Sequence, residues 1–237
     1  MLSSELIASR RAEILQRIER AANRSGRDPR SVALLAVTKT HSAETVRAAA
    51  RAGLTLFGEN RVAEGATKIE AVRAEFPDLT WRLIGPLQTN KAKTALQWFS
   101  TVETLDRERL AARLEALVAS GGELRRLSVL LEINVGEEAS KAGASPEGAE
   151  ALARAVLACP HLDLRGLMAV PPFGEDPELS RPHFRAMRQL RDRLADRVGR
   201  ALPELSIGMS HDFEVAVEEG ATEVRVGTAL FGARDAA

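Results

Sequence analysis

The residue in this 237-residue chain whose type and placement promise the most chemistry is Lys39. It stands just after the apolar run Val32-Ala33-Leu34-Leu35-Ala36-Val37, in the stretch V-A-L-L-A-V-T-K-T-H. An unbroken apolar run of this kind reads as a strand buried on both faces, the pattern of parallel sheets. An ammonium rarely enters such surroundings without a partner. Burial also lowers a lysine's pKa, and the neutral amine condenses with an aldehyde to a Schiff base. The bland alternative is a strand-end lysine whose head snorkels to water.

Other polar and glycine-rich clusters also follow apolar runs. Gly58-Glu59-Asn60-Arg61 follows Leu54-Thr55-Leu56-Phe57, and Gly85-Pro86-Leu87-Gln88-Thr89-Asn90-Lys91 follows Ile84. The sharpest are the last two. Leu205-Ser206-Ile207-Gly208-Met209-Ser210 precedes a helical stretch at 211–217, and Glu223-Val224-Arg225-Val226-Gly227-Thr228 precedes another helical turn. Small residues there let a phosphate reach backbone N–H groups and the positive ends of helices. Taken singly, Ser210 reads as a helix cap and Gly227 as a turn residue. Strand alternation puts Glu223 and Arg225 on one face. An inward Arg225 can face a pyridine nitrogen and disfavour its protonation; the alternative is an ion pair with a nearby carboxylate. Lysine, phosphate loops and arginine together point to pyridoxal phosphate, the cofactor that uses lysine Schiff bases most often.

These residues need elements to hold them. Apolar runs near 32–38, 54–57, 81–85, 100–103, 128–135, 164–170, 204–207 and 223–227 alternate with helical patterns such as 106–119, 146–158 and 178–198. Ahead of them Leu6, Ile7, Ile14, Leu15 and Ile18 form one face of an N-terminal helix ended by Gly26-Arg27-Asp28-Pro29. Eight strands with intervening helices predict an α/β fold, a single (β/α)8 TIM-like barrel over 1–237 with an extra helix at 1–27. The main rival is an open doubly wound sheet. In a barrel, the clusters fall at the C-terminal strand ends, where such folds build their sites.

Composition narrows the function classes. Lys and Arg number 33, as do Asp and Glu, so nothing favours electrostatic capture of nucleic acid or an anionic membrane. Cys159 is the one cysteine, which excludes an internal disulfide and suits a reducing compartment. No segment approaches the roughly 20 apolar residues of a membrane span. The N-terminus lacks a signal-peptide core. The expected location is cytoplasmic. The four histidines, His41, His161, His183 and His211, lack metal-ligand spacing.

The motifs V-T-K-T, F-G-E-N-R, I-G-P-L-Q-T-N-K, I-N-V-G-E-E-A-S-K-A-G, G-L-M-A-V-P-P and L-S-I-G-M-S-H-D-F-E…A-T-E-V-R-V-G-T-A-L-F-G-A-R run in order from Val32 to Arg234. In this the chain resembles the pyridoxal phosphate homeostasis protein family, an alanine-racemase-like barrel family. The resemblance implies pyridoxal 5'-phosphate held as an internal aldimine on Lys39. It implies phosphate contacts from Ser210, Gly227 and Thr228, with help from Asn60 and Ser206, and Arg225 facing the pyridine nitrogen. The implied role is control of free cofactor, vitamin B6 and amino-acid balance, without established turnover. Apo forms of enzymes that use this cofactor are the candidate recipients. The expected assembly is a monomer, with a weak homodimer as the alternative. The chain departs from the family at Arg82 and Pro86, where histidines are common, and at His211, where Asp or Asn is common. The sequence does not decide whether a second, looser cofactor site exists near Lys91 or Lys141.

Two other readings compete. A two-base racemase of the same barrel type needs an acid/base on the face opposite the lysine. The related enzymes take a tyrosine from a further C-terminal domain, and this chain contains no tyrosine. Related decarboxylases depend on a cysteine, whereas Cys159, in L-A-C-P, reads as a small buried hydrophobe. A sugar-phosphate enzyme fits the phosphate loops equally well and is distinguished by lacking a need for Lys39.

Overall fold

The structure is a computed structural model that describes residues 2–121, 126–136, 138 and 142–232. Eight strands, β1 (Ala33–Val37), β2 (Leu56–Glu59), β3 (Thr80–Leu83), β4 (Thr101–Leu105), β5 (Leu127–Glu132), β6 (Leu162–Met168), β7 (Glu204–Met209) and β8 (Glu223–Val226), close into a barrel in chain order. All neighbouring pairs are parallel, and β8 returns to β1 with Leu35 opposite Arg225. The TIM-like barrel is therefore the fold, and closure excludes the open sheet. Parallel neighbours need crossovers, supplied by α2 (Ala43–Arg51), α3 (Val62–Val72), α4 (Ala92–Trp98), α5 (Glu108–Ser120), α6 (Ala149–Leu157), α7 (Arg181–Val198) and α8 (Phe213–Glu218), with α9 (Thr228–Phe231) after β8.

The N-terminal helix is α1 (Ser4–Arg24), capped by the Ser3 hydroxyl, which accepts from Leu6 N. Its buried seam is Ile7, Ile14, Ile18, Ala21 and Ala22, whereas Leu6 and Leu15 are exposed, so the expected apolar face is narrower. This helix packs on α8, α2 and α9. Arg27, just beyond it, donates to Val217 O at 2.6 Å and Ala221 O at 2.8 Å. Arg10 donates to Leu230 O at 3.1 Å. The extra helix thus braces the segments that carry the last two strand ends.

Some boundaries differ from the sequence reading. Strand two starts at Leu56, so Gly58 and Glu59 lie inside β2. Leu54 instead packs into the core beside Gly53, whose φ of +83° turns the chain out of α2. The helix expected from His211 begins at Phe213, because Asp212 is engaged ahead of it.

Barrel interiors are usually filled by branched apolar side chains. Here a charged group occupies the wall. Arg82 donates to Glu204 at 2.7 Å and lies 3.5 Å from Glu103 and 3.3 Å from Glu223. Burial works against this guanidinium, but the acidic side chains packed around it keep its pKa above the ordinary range. The departure from the family at position 82 is thus a structural ion cluster. Gly166 is required beside it: a Cβ there would meet Glu204 O at 1.8 Å.

Candidate functional site

A cavity of about 490 Å³ opens at the C-terminal strand ends. Lys39, Asn60, Ser210, Arg225, Gly227 and Thr228 all line it, together with Val37, Ile84, Val170, Phe173, Met209 and His211. The volume suits a small ligand. Ser206 is absent from the lining: it is fully buried below Arg225, with its hydroxyl against Glu103 and Glu223. A phosphate contact from Ser206 is therefore not what its surroundings offer. Lys91 is exposed and outside the lining, and Lys141 and Arg234 lie outside the described residues.

Lys39 follows β1, and its neighbours are clamped from beneath. Buried Lys68 on α3 donates to Thr38 O at 2.6 Å, to Glu59 at 2.8 Å and to Glu64 at 2.7 Å. The Thr38 hydroxyl donates to Glu59 at 2.6 Å, and Thr40 N donates to Glu64 at 2.5 Å. Thr40 has φ +68°, a left-handed conformation that a β-branched residue adopts only when its surroundings enforce it. Burial pushes the Glu59 carboxyl up despite the hydrogen bonds from Lys68 and Thr38. At Glu64 burial is outweighed by Lys68 and the Thr40 N–H, and its carboxyl stays below the ordinary range. Nothing in the helical period singles out Lys68; its spacing of four from Glu64 is the only sequence signal.

The two phosphate-type loops meet through one hydroxyl. Ser210 Oγ accepts from Gly227 N and Ala229 N, both at 3.2 Å. With both lone pairs engaged, its own proton is directed to a further acceptor. The N-cap position of α8 falls to Asp212, whose carboxylate makes no cap bond to the helix and instead accepts from Met209 N at 2.8 Å and from the Ser180 hydroxyl at 2.9 Å. Gly227 is close to β1: a Cβ there would stand 3.3 Å from Val37 O. Gly85 serves Asn60, since a Cβ at 85 would meet Asn60 O at 2.2 Å. Pro86 is exposed and outside the lining, whereas His211 lines the cavity and meets the Phe173 ring at 5.5 Å.

Arg225 projects into the barrel from β8, as alternation predicts. Its Nη1 donates to Ser206 O and Ser206 Oγ, both at 2.6 Å, and its Nη2 donates to Ala169 O at 2.8 Å. These acceptors are neutral, so the ion-pair alternative does not describe its contacts among the described residues. The guanidinium offers no acceptor and faces the cavity. Nearby Glu132 has a buried Oε2 with no hydrogen-bond partner among the described residues. Burial, with Asp106's charge, pushes its carboxyl up to about 7, against the pull of Arg225.

Comparison with known proteins identifies the family. Residues 10–235 match the family described as alanine racemase, N-terminal domain. The chain is 44% identical over 225 residues to the pyridoxal phosphate homeostasis protein of Aquifex aeolicus, covering 95% of this chain and 97% of that one. It is 47% identical over 230 residues to that of Pseudomonas aeruginosa, covering 97% and 96%. PipY of Synechococcus elongatus, solved with PLP bound, superimposes with a TM-score of 0.82 at 36% identity, covering 95% of this chain and all of that one. The fold alone is shared with an alanine racemase of Corynebacterium glutamicum, at TM-score 0.70 and 18% identity, of which the match covers 61%. Carried by matches over nearly its whole length, the chain belongs to the pyridoxal phosphate homeostasis protein family.

Proposed function

We propose that this protein holds pyridoxal 5'-phosphate as a Schiff base on Lys39 and delivers it to apo-enzymes, maintaining vitamin B6 and amino-acid balance in the cell. The whole chain acts as one cofactor-binding barrel domain, with the 1–27 segment packed on it. The observation that carries this reading is the convergence of Lys39, Asn60, Ser210, Arg225, Gly227 and Thr228 on one cavity. The names of the relatives and the PLP in PipY support it.

The donor set fits the group. The Ser210 and Thr228 hydroxyls would donate hydrogen bonds to its phosphate, in the space that Gly227 leaves open. Arg225 holds a cation toward the ring nitrogen and keeps that nitrogen unprotonated, which weakens the ring as an electron sink. Bound cofactor would supply an aldehyde with which the neutral Lys39 amine could condense, with release of water. A carrier needs no second acid/base, whereas a racemase does, and the chain has no tyrosine to serve as one.

The test is transfer. Protein loaded with pyridoxal phosphate and freed of excess is mixed with an apo-aminotransferase, and recovery of aminotransferase activity is followed beside an alanine-racemisation assay. Recovery without racemisation is the expected result. A loaded protein that racemises alanine, or that never restores the apo-enzyme, contradicts the reading.

A further inference from the structure

Beneath the cavity, the geometry assigns a role to a group that touches no ligand. Ser206, Glu103 and Glu223 are all buried, at 0%, 0% and 2% exposure. Around the Ser206 hydroxyl stand three partners: Arg225 Nη1 at 2.6 Å, Glu103 Oε2 at 2.7 Å and Glu223 Oε1 at 3.0 Å. A serine hydroxyl has one proton to give and two lone pairs to fill. Arg225 can only donate, so it fills one lone pair. The nearer carboxylate, Glu103, takes the proton. The contact with Glu223 is then a hydrogen bond if Glu223 is the donor. Its other oxygen faces Arg82 Nε at 3.3 Å, which suits the carbonyl side of a neutral acid.

We propose that Ser206 is a positioning residue for Arg225, and that Glu223, as a protonated acid, fixes it by donating to its hydroxyl. The acid orients the serine and the serine holds Nη1. With Ala169 O on Nη2, the guanidinium is set toward the cavity from two sides. Burial and the neighbouring charge of Glu103 both favour the protonated form, pushing the Glu223 carboxyl well above the ordinary range. The cavity-facing consequence rests on the cofactor reading above; the proton on Glu223 does not.

Two measurements separate them. Infrared difference spectroscopy of the cofactor-free protein at neutral pH should show a protonated-carboxyl stretch that disappears in Glu223→Gln. Absence of that band overturns the proposal whether or not the protein takes up pyridoxal phosphate. In protein loaded with pyridoxal phosphate, Ser206→Ala should release it roughly ten-fold faster, the loss of one charge-assisted hydrogen bond, and change the visible spectrum of the bound chromophore. Glu223→Gln keeps a neutral donor and should leave release rate and spectrum as in the wild type. Wild-type behaviour in Ser206→Ala, or Ser206→Ala-like behaviour in Glu223→Gln, overturns the positioning role. Should Ser206→Ala fail to fold, the isosteric Glu223→Gln variant and the infrared band still decide the matter.

Discussion

Lys39 owes its setting to residues that never meet a ligand. Lys68 is the only cation in contact with buried Glu59 among the described residues, so removing it strands a carboxylate. Lys68→Met should lower stability by about 3 to 5 kcal/mol, read from urea unfolding, and the double variant with Glu59→Gln should recover part of that loss. Glu132 gives a pH signature. Its carboxyl stands at about 7 when folded, against about 4.3 in an unfolded chain, so the folded state binds the proton more tightly. The stability this contributes is complete below about pH 4 and is lost as pH rises through 7. Glu132→Gln should therefore match the wild type at pH 4 and exceed it by about 1 to 3 kcal/mol at pH 8, in cofactor-free protein. No gain at pH 8 contradicts the burial argument.

The loops after β7 and β8 work as one element because Ser210 ties them together. Ser210→Ala removes the shared acceptor and the outward proton. Cofactor should leave roughly ten-fold faster, while borohydride still traps it on Lys39. Unchanged retention would show that the hydroxyl serves the loops alone. Much of this was legible beforehand, since small residues at strand ends and the alternation of Glu223 and Arg225 follow from strand geometry. Depth was not legible. Ser206 lies within β7 and is fully buried, whereas Ser210 stands just past its end at the rim, with Gly208 at φ +90° between them. Lys68 was invisible for a related reason: lysine on a helix ordinarily faces water, and only the tertiary placement of Glu59 under β1 buries it.

The barrel as a whole sets which groups can meet. Closure brings β1 against β8, and so carries Lys39 to Gly227 and Thr228 from nearly the other end of the chain. Alternating strands and helices announced that architecture, but not the polar wall of Arg82, Glu103, Glu204 and Glu223, whose partners lie on different strands. The seam between β6 and β7 tolerates no side chain at Gly166. Gly166→Ala should cost about 3 kcal/mol or more in thermal or urea unfolding, by forcing the strands apart. A neutral substitution would mean that the seam has room to relax.

The central claim, a cofactor aldehyde captured by Lys39 in this cavity, is tested most directly by trapping it. Purified protein incubated with pyridoxal phosphate is examined by visible absorbance, reduced with borohydride and digested for peptide mass spectrometry. A yellow protein whose phosphopyridoxyl mass maps to Lys39 is the predicted result. A colourless protein, or a modification that maps to other lysines while Lys39 stays unmodified, contradicts it.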